Sequence, residues 1–264
     1  MSLQNALWLA PFPAEAIVIG LLFYRRTWRT LPIFCAYCIW EILINAAAFA
    51  VIRYYPAAYF HFYFGETILD SILQFCVLVE LAWSVLRPVR ASLSPVALVV
   101  MAGLILALGA AIWPFAALPG LAAHVTSRQW LLLTQLEQTV SILRILFFLL
   151  LTAGSQLLSI SWRDRELQVA TGLGLYSLVA LTAAMVHLHQ TTASQYQHLF
   201  EVVIAGNLCC LLYWAVSFAQ KEAARRAFTP QMQSLLLSVA GAARSTRIAL
   251  GDSHAAKPRE SDNR

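Results

Sequence analysis

The chain has 264 residues, of which 60% are hydrophobic and only 12% charged, and its formal net charge is +5. This composition excludes an ordinary soluble core and a disordered chain. It also removes nucleic acid from the expected partners, because the positive excess forms a basic rim suited to anionic lipid headgroups. The lipid bilayer is the expected environment.

Seven apolar stretches follow one another, at 5–24, 31–52, 60–86, 96–113, 130–151, 167–187 and 198–220. Each is near the ~20 residues that cross the hydrocarbon layer as a helix. The spacing predicts an all-α integral membrane protein, a seven-transmembrane-helix bundle over residues 1–220. The first stretch lacks a basic segment before its apolar run, and Arg25, Arg26 and Arg29 follow it. It therefore reads as an uncleaved helix rather than a secretory signal.

Basic residues fix the expected orientation. Arg25, Arg26, Arg29, Arg87, Arg90, Arg163, Arg165, Lys221, Arg225 and Arg226 lie in alternate gaps, and the other gaps hold Arg53 and Arg128. Basic residues of short loops are retained on the cytoplasmic side, so the N-terminus is expected outside and the C-terminus in the cytoplasm of a plasma (cytoplasmic) membrane. Residues 221–264 form a basic cytoplasmic tail. A short amphipathic helix at 230–249 is expected from Met232, Leu235, Leu236 and Val239 at helical spacing, with disorder from about 251.

Polar residues inside the spans are costly and therefore informative. The second span carries Glu41 and Asn45 one turn apart. In the third, Glu66, Asp70, Gln74 and Glu80 fall within about 120° of one another around the axis. The fifth carries Glu137, Gln138, Ser141 and Arg144, and Arg144 is the deep guanidinium that needs an acidic partner, for which Glu41, Glu80 and Glu137 are the candidates. Such a set serves as a structural tie between helices or as a path for protons or solute.

Five of the six histidines, His61, His124, His187, His189 and His198, fall at the outer ends of spans or in outer gaps. With Glu66, Asp70 and Glu201 they compose an outer polar layer. His198 and Glu201 share a helix face, so Glu66, Asp70, His187, His198 and Glu201 are the candidate lining of an outward-facing pocket for a small ligand, ion or protons. If a metal binds, His187, His198 and Glu201 are its candidate ligands. Two outer histidines on different helices would also suit haem. The alternative for all of them is hydrogen bonding to loops and headgroups. Tyr54, Tyr55, Tyr59, Phe60 and Tyr63 cluster at the same end, as interfacial anchors or as a cover over a cavity. Cys35, Cys38, Cys76, Cys209 and Cys210 all lie within apolar spans and indicate packing, not a disulfide framework.

Seven spans in this orientation look like the topology of microbial rhodopsins and of receptor-type seven-helix proteins. The lysines, however, are Lys221 and Lys257, so no mid-helix lysine is present for a retinal Schiff base. The layout is also similar to seven-helix sensor modules, in organisation and without a shared motif. The leading expectation is a sensor or receptor-like protein whose tail reports to a cytoplasmic partner. A transporter or proton-coupled permease using Glu41, Asp70, Glu80 and Arg144 is the alternative, and a membrane metal-dependent hydrolase is third.

Overall fold

The structure, a computed structural model, describes residues 10–86, 96–116, 128–154, 164–187 and 193–220; the side chains at 154, 187, 193–198 and 200 lie outside that description. The described residues form seven α-helices and no strand: α1 Pro11–Tyr24, α2 Pro32–Tyr54, α3 Tyr59–Val85, α4 Val96–Ala116, α5 Arg128–Gly154, α6 Arg165–His187 and α7 Ala193–Ala219. Six of them, α2 to α7, are long and apolar enough to cross a membrane. The tail at 221–264, with the helix expected at 230–249, lies outside the described residues.

Of the first stretch, expected at 5–24, residues 5–9 lie outside the described residues and the rest contains α1. Its 14 described residues start at Pro11, where a missing N–H costs nothing and the fixed φ suits a first turn. These described residues rise about 21 Å. Prolines also open α2 at Pro32 and the 3₁₀ turn Pro56–Ala58 that leads into α3. Hydroxyls inside the helices bond to their own turn: Ser71 donates to the Thr67 carbonyl, Thr171 to Leu167 and Ser177 to Leu173. That arrangement satisfies them where no water is present.

The helices close into a ring in which α1, α2, α3, α5, α6 and α7 each pack on the next, and α7 returns to α1. Helix α4 packs outside the ring against α3 and α5. It has the highest mean hydropathy, 2.6, and only 11% of its most apolar window is buried, as suits a helix surrounded by lipid. Between α5, α6 and α7 the approach is close. A Cβ on Gly174 would meet Phe148 at 2.7 Å, and one on Gly206 would meet Val179 at 2.8 Å. Gly172 lies against the Trp214 indole, which leaves no room for any side chain there. Small residues of this kind let helices pack tightly when lipid offers no hydrophobic drive.

One end of the ring is dry and tightly packed. Leu31, Phe34, Leu81, Leu167 and Phe218 are each fully buried, with the Phe34 ring edge-on to Trp214 at 5.2 Å and to Phe218 at 6.2 Å. This is the arginine-rich end. Arg165 donates to the carbonyls of Ser217 (2.8 Å) and Gln220 (2.8 Å), and Arg25 donates to that of Ala219. Two arginines therefore hold the last carbonyls of α7, which lack the usual helical N–H four residues on and carry its negative dipole end.

Candidate functional site

Above the dry end the ring interior turns polar. A cavity of about 70 Å³ is lined by Glu15 and Val18 of α1, Tyr37, Cys38 and Glu41 of α2, Tyr176 of α6, and Asn207, Cys210, Leu211 and Trp214 of α7. Glu15 lies nine residues before the end of α1 and Glu41 nine residues after the start of α2. Since these helices run antiparallel, both carboxyls sit at one level, about 14 Å from the arginine-rich end. Glu15 is 6% exposed, and its Oε2 has no hydrogen-bond partner. Trp214 donates its Nε1–H to the Gln168 carbonyl at 3.2 Å, so it offers the cavity a ring and no free donor.

A second polar group adjoins the cavity through Glu41. The Glu41 side chain interacts with the Tyr37 hydroxyl and the Asp70 carboxyl, and Arg144 acts on it electrostatically. Gln74 donates to Asp70 Oδ2 at 2.6 Å and to the Tyr37 hydroxyl at 3.5 Å, leaving Asp70 Oδ1 buried without a partner. Arg144 is buried. Its Nη2 donates to Ser141 Oγ at 3.2 Å, its Cζ stands 5.7 Å from the Tyr176 ring centre, and its Nε and Nη1 lack partners. The carboxyls of Glu41, Asp70 and Glu137 act on this guanidinium through space rather than by closed hydrogen bonds.

From Asp70 the polar stripe of α3 climbs toward the arginine-poor end. Glu137 on α5 accepts from the Tyr63 hydroxyl at 2.9 Å and from Thr67 Oγ1 at 3.5 Å, and Glu66 is influenced by Glu41 and Glu137. The stripe ends under aromatic rings: Trp130 lies 5.3 Å from Tyr63 and 5.4 Å from Phe60.

Among the residues expected to share an outer pocket, Glu66 and Asp70 face the α2 and α5 groups just described. Glu201 is half-buried on α7, a helix that packs between α6 and α1. His187 closes α6 and His198 lies in the first turns of α7; their side chains are outside the described residues. Among the described residues, no group of three or more His, Cys, Asp or Glu is placed to hold a metal ion. Asn45 is half-buried and off the cavity wall.

Glu80 belongs to neither polar group. Its two carboxyl oxygens accept from the backbone N–H groups of Ile33 and Phe34, each at 2.8 Å. It thus caps the first turn of α2 from a neighbouring helix, where free N–H groups and the positive dipole end favour a carboxylate. The five cysteines are free, and Cys35 and Cys38 are buried.

Sequence reasoning left out Glu15, Tyr37, Tyr176 and Asn207. For Glu15 a signal was present: a carboxyl between Ala14 and Ala16 in an apolar stretch meets the same criterion that singled out Glu41. Asn207, within the seventh stretch, meets it more weakly.

No protein-family model matches the chain, and no curated protein or solved structure matches it either. The apolar helices define a helical multi-pass membrane protein.

Proposed function

We propose that this protein is a receptor-like membrane sensor, oriented with the N-terminus outside and the C-terminus in the cytoplasm of the plasma membrane, whose ligand site is the mid-bundle cavity. In this reading the route in is the polar stripe of α3, from Tyr63 and Glu66 past Asp70 to Glu41. Binding draws α1, α2, α6 and α7 together, and the tail reports the change to a cytoplasmic partner. The supporting observation is that the polar interior is blind: below Glu15 and Glu41 it meets Phe34, Trp214, Phe218 and Leu81, all at most 6% exposed. A pocket closed on one side suits binding.

A transporter or proton-coupled permease is the second reading, and the row of mutually influencing carboxyls Glu137, Glu66, Asp70 and Glu41 favours it. The two readings differ in access. In a cysteine-free background, Asn207→Cys should react with 2-aminoethyl methanethiosulfonate added outside intact cells, and resist it in inverted vesicles, with a thiol scavenger held in the opposite compartment in each case. Equal reaction from both sides would favour the permease.

The orientation has its own test. Alkaline phosphatase fused after Ala193 should be active and one fused after Lys221 inactive; the reverse pattern would invert the bundle.

A further inference from the structure

We propose that the cavity takes a small organic cation, a primary alkylammonium of about three to six heavy atoms, held between Glu15 and Glu41. This inference rests on the reading of the cavity as a ligand site and specifies what enters it.

The lining is strongly biased toward acceptors. Two carboxyls, the hydroxyls of Tyr37 and Tyr176 and the Asn207 amide face the space, and among the described residues no lysine, arginine or histidine lines it. Arg144, the nearby cation, stands against Tyr176 and serves Glu41, Asp70 and Glu137. The charged group acting on Glu15 is another carboxyl, Glu41. Glu15 is thus 94% buried by its 6% exposure, beside a like group and with Oε2 unpartnered. A buried carboxylate without a partner is strongly disfavoured. A bound ammonium answers this with N–H donors and opposite charge at once, in the charge-assisted geometry that is strongest where water is excluded.

The remaining wall fits an alkyl substituent. Val18, Cys38, Cys210, Leu211 and the Trp214 ring supply the apolar part, and an indole face also attracts a cation. About 70 Å³ holds a few water-sized groups, which sets the size limit and excludes bulky quaternary ammonium ions.

The test uses the full chain in lipid nanodiscs, with thermal unfolding followed by tryptophan fluorescence. Ethylammonium chloride, ethanol, sodium chloride and tetraethylammonium chloride are titrated separately. A ligand that binds the folded form raises the melting temperature in a saturable way. Ethylammonium should do so, while the other three give only the shared small effect of ionic strength or solvent. Glu15→Gln should weaken the ethylammonium response at least tenfold, and Glu15→Asp should retain most of it. If Glu15→Gln does not melt cooperatively, Asn207→Leu, which fills the cavity from α7, takes its place with the same expected loss. A saturable response to ethanol equal to that of ethylammonium, or an unchanged response in Glu15→Gln, overturns the cationic ligand while leaving a ligand cavity. A saturable response to sodium alone overturns the ammonium in favour of an alkali ion. No saturable response to any of the four overturns both the cation and the cavity as a site for ligands of this size.

Discussion

Arg144→Leu should lower the melting temperature in detergent by about 5–15 °C. The guanidinium is the cation acting on Glu41, Asp70 and Glu137, and leucine leaves three neighbouring carboxyls with no opposite charge among the described residues. Removing one member of a buried charged pair costs ~3–5 kcal/mol in soluble proteins, and polar interactions within membranes are generally weaker. About 2–4 kcal/mol is therefore expected, and proteins of this size lose ~2–4 °C for each kcal/mol. Arg144→Lys, which keeps the charge and loses the planar fork, should recover at least half of the loss. If leucine melts like the parent, Arg144 is not what balances these carboxyls. A triple exchange of Glu41, Asp70 and Glu137 to glutamine should relieve much of the defect, since the removed charges are those left without a partner.

The second large effect is expected at Glu80. Glu80→Ala strands the buried N–H of Phe34 and the half-buried N–H of Ile33, and a buried donor without an acceptor costs about 1–3 kcal/mol. A loss of about 2–4 kcal/mol should follow, with Glu80→Gln retaining one acceptor and roughly half of the stability. Hydrogen exchange gives a local readout: the amides of Ile33 and Phe34 should exchange faster in Glu80→Ala while those of α5 do not change. Uniform acceleration throughout the bundle would mean that Glu80 supports something larger than the first turn of α2.

These two positions show what can be read from a linear chain. The long helices are legible because a run of apolar residues has one stable form in lipid: stretches expected at 31–52, 167–187 and 198–220 correspond to Pro32–Tyr54, Arg165–His187 and Ala193–Ala219. The polar stripe of α3 is legible from spacing, since Asp70 and Gln74 stand one turn apart and are hydrogen-bonded. Neighbour identity is not legible. Glu80 lies on that same stripe by spacing, yet α2 begins beside it and claims its carboxyl. Periodicity specifies a face, and only the order of helices around the ring specifies what the face meets. Glu15 is hard to single out because the features of α1 that stand out in the sequence are its length and flanking charge, whereas the ring places α1 directly beside α7 and so brings its carboxyl to the cavity. The role of Arg165 was half legible: the loop count places it at the basic end, and the structure adds that it is 4% exposed and tied to the end of α7.

The seam between α1 and α7 also governs how this protein must be made. The two helices lie some 170 residues apart in the sequence, and at ~5–20 residues per second a ribosome needs on the order of 10–30 s to supply the later one. Throughout that interval α1 waits without the neighbour that covers it, holding Glu15 in or near the lipid with no cavity around it. The early nascent chain is therefore the most vulnerable form of this protein, and helix insertion factors would have their longest task at its first helix, not at the more polar third.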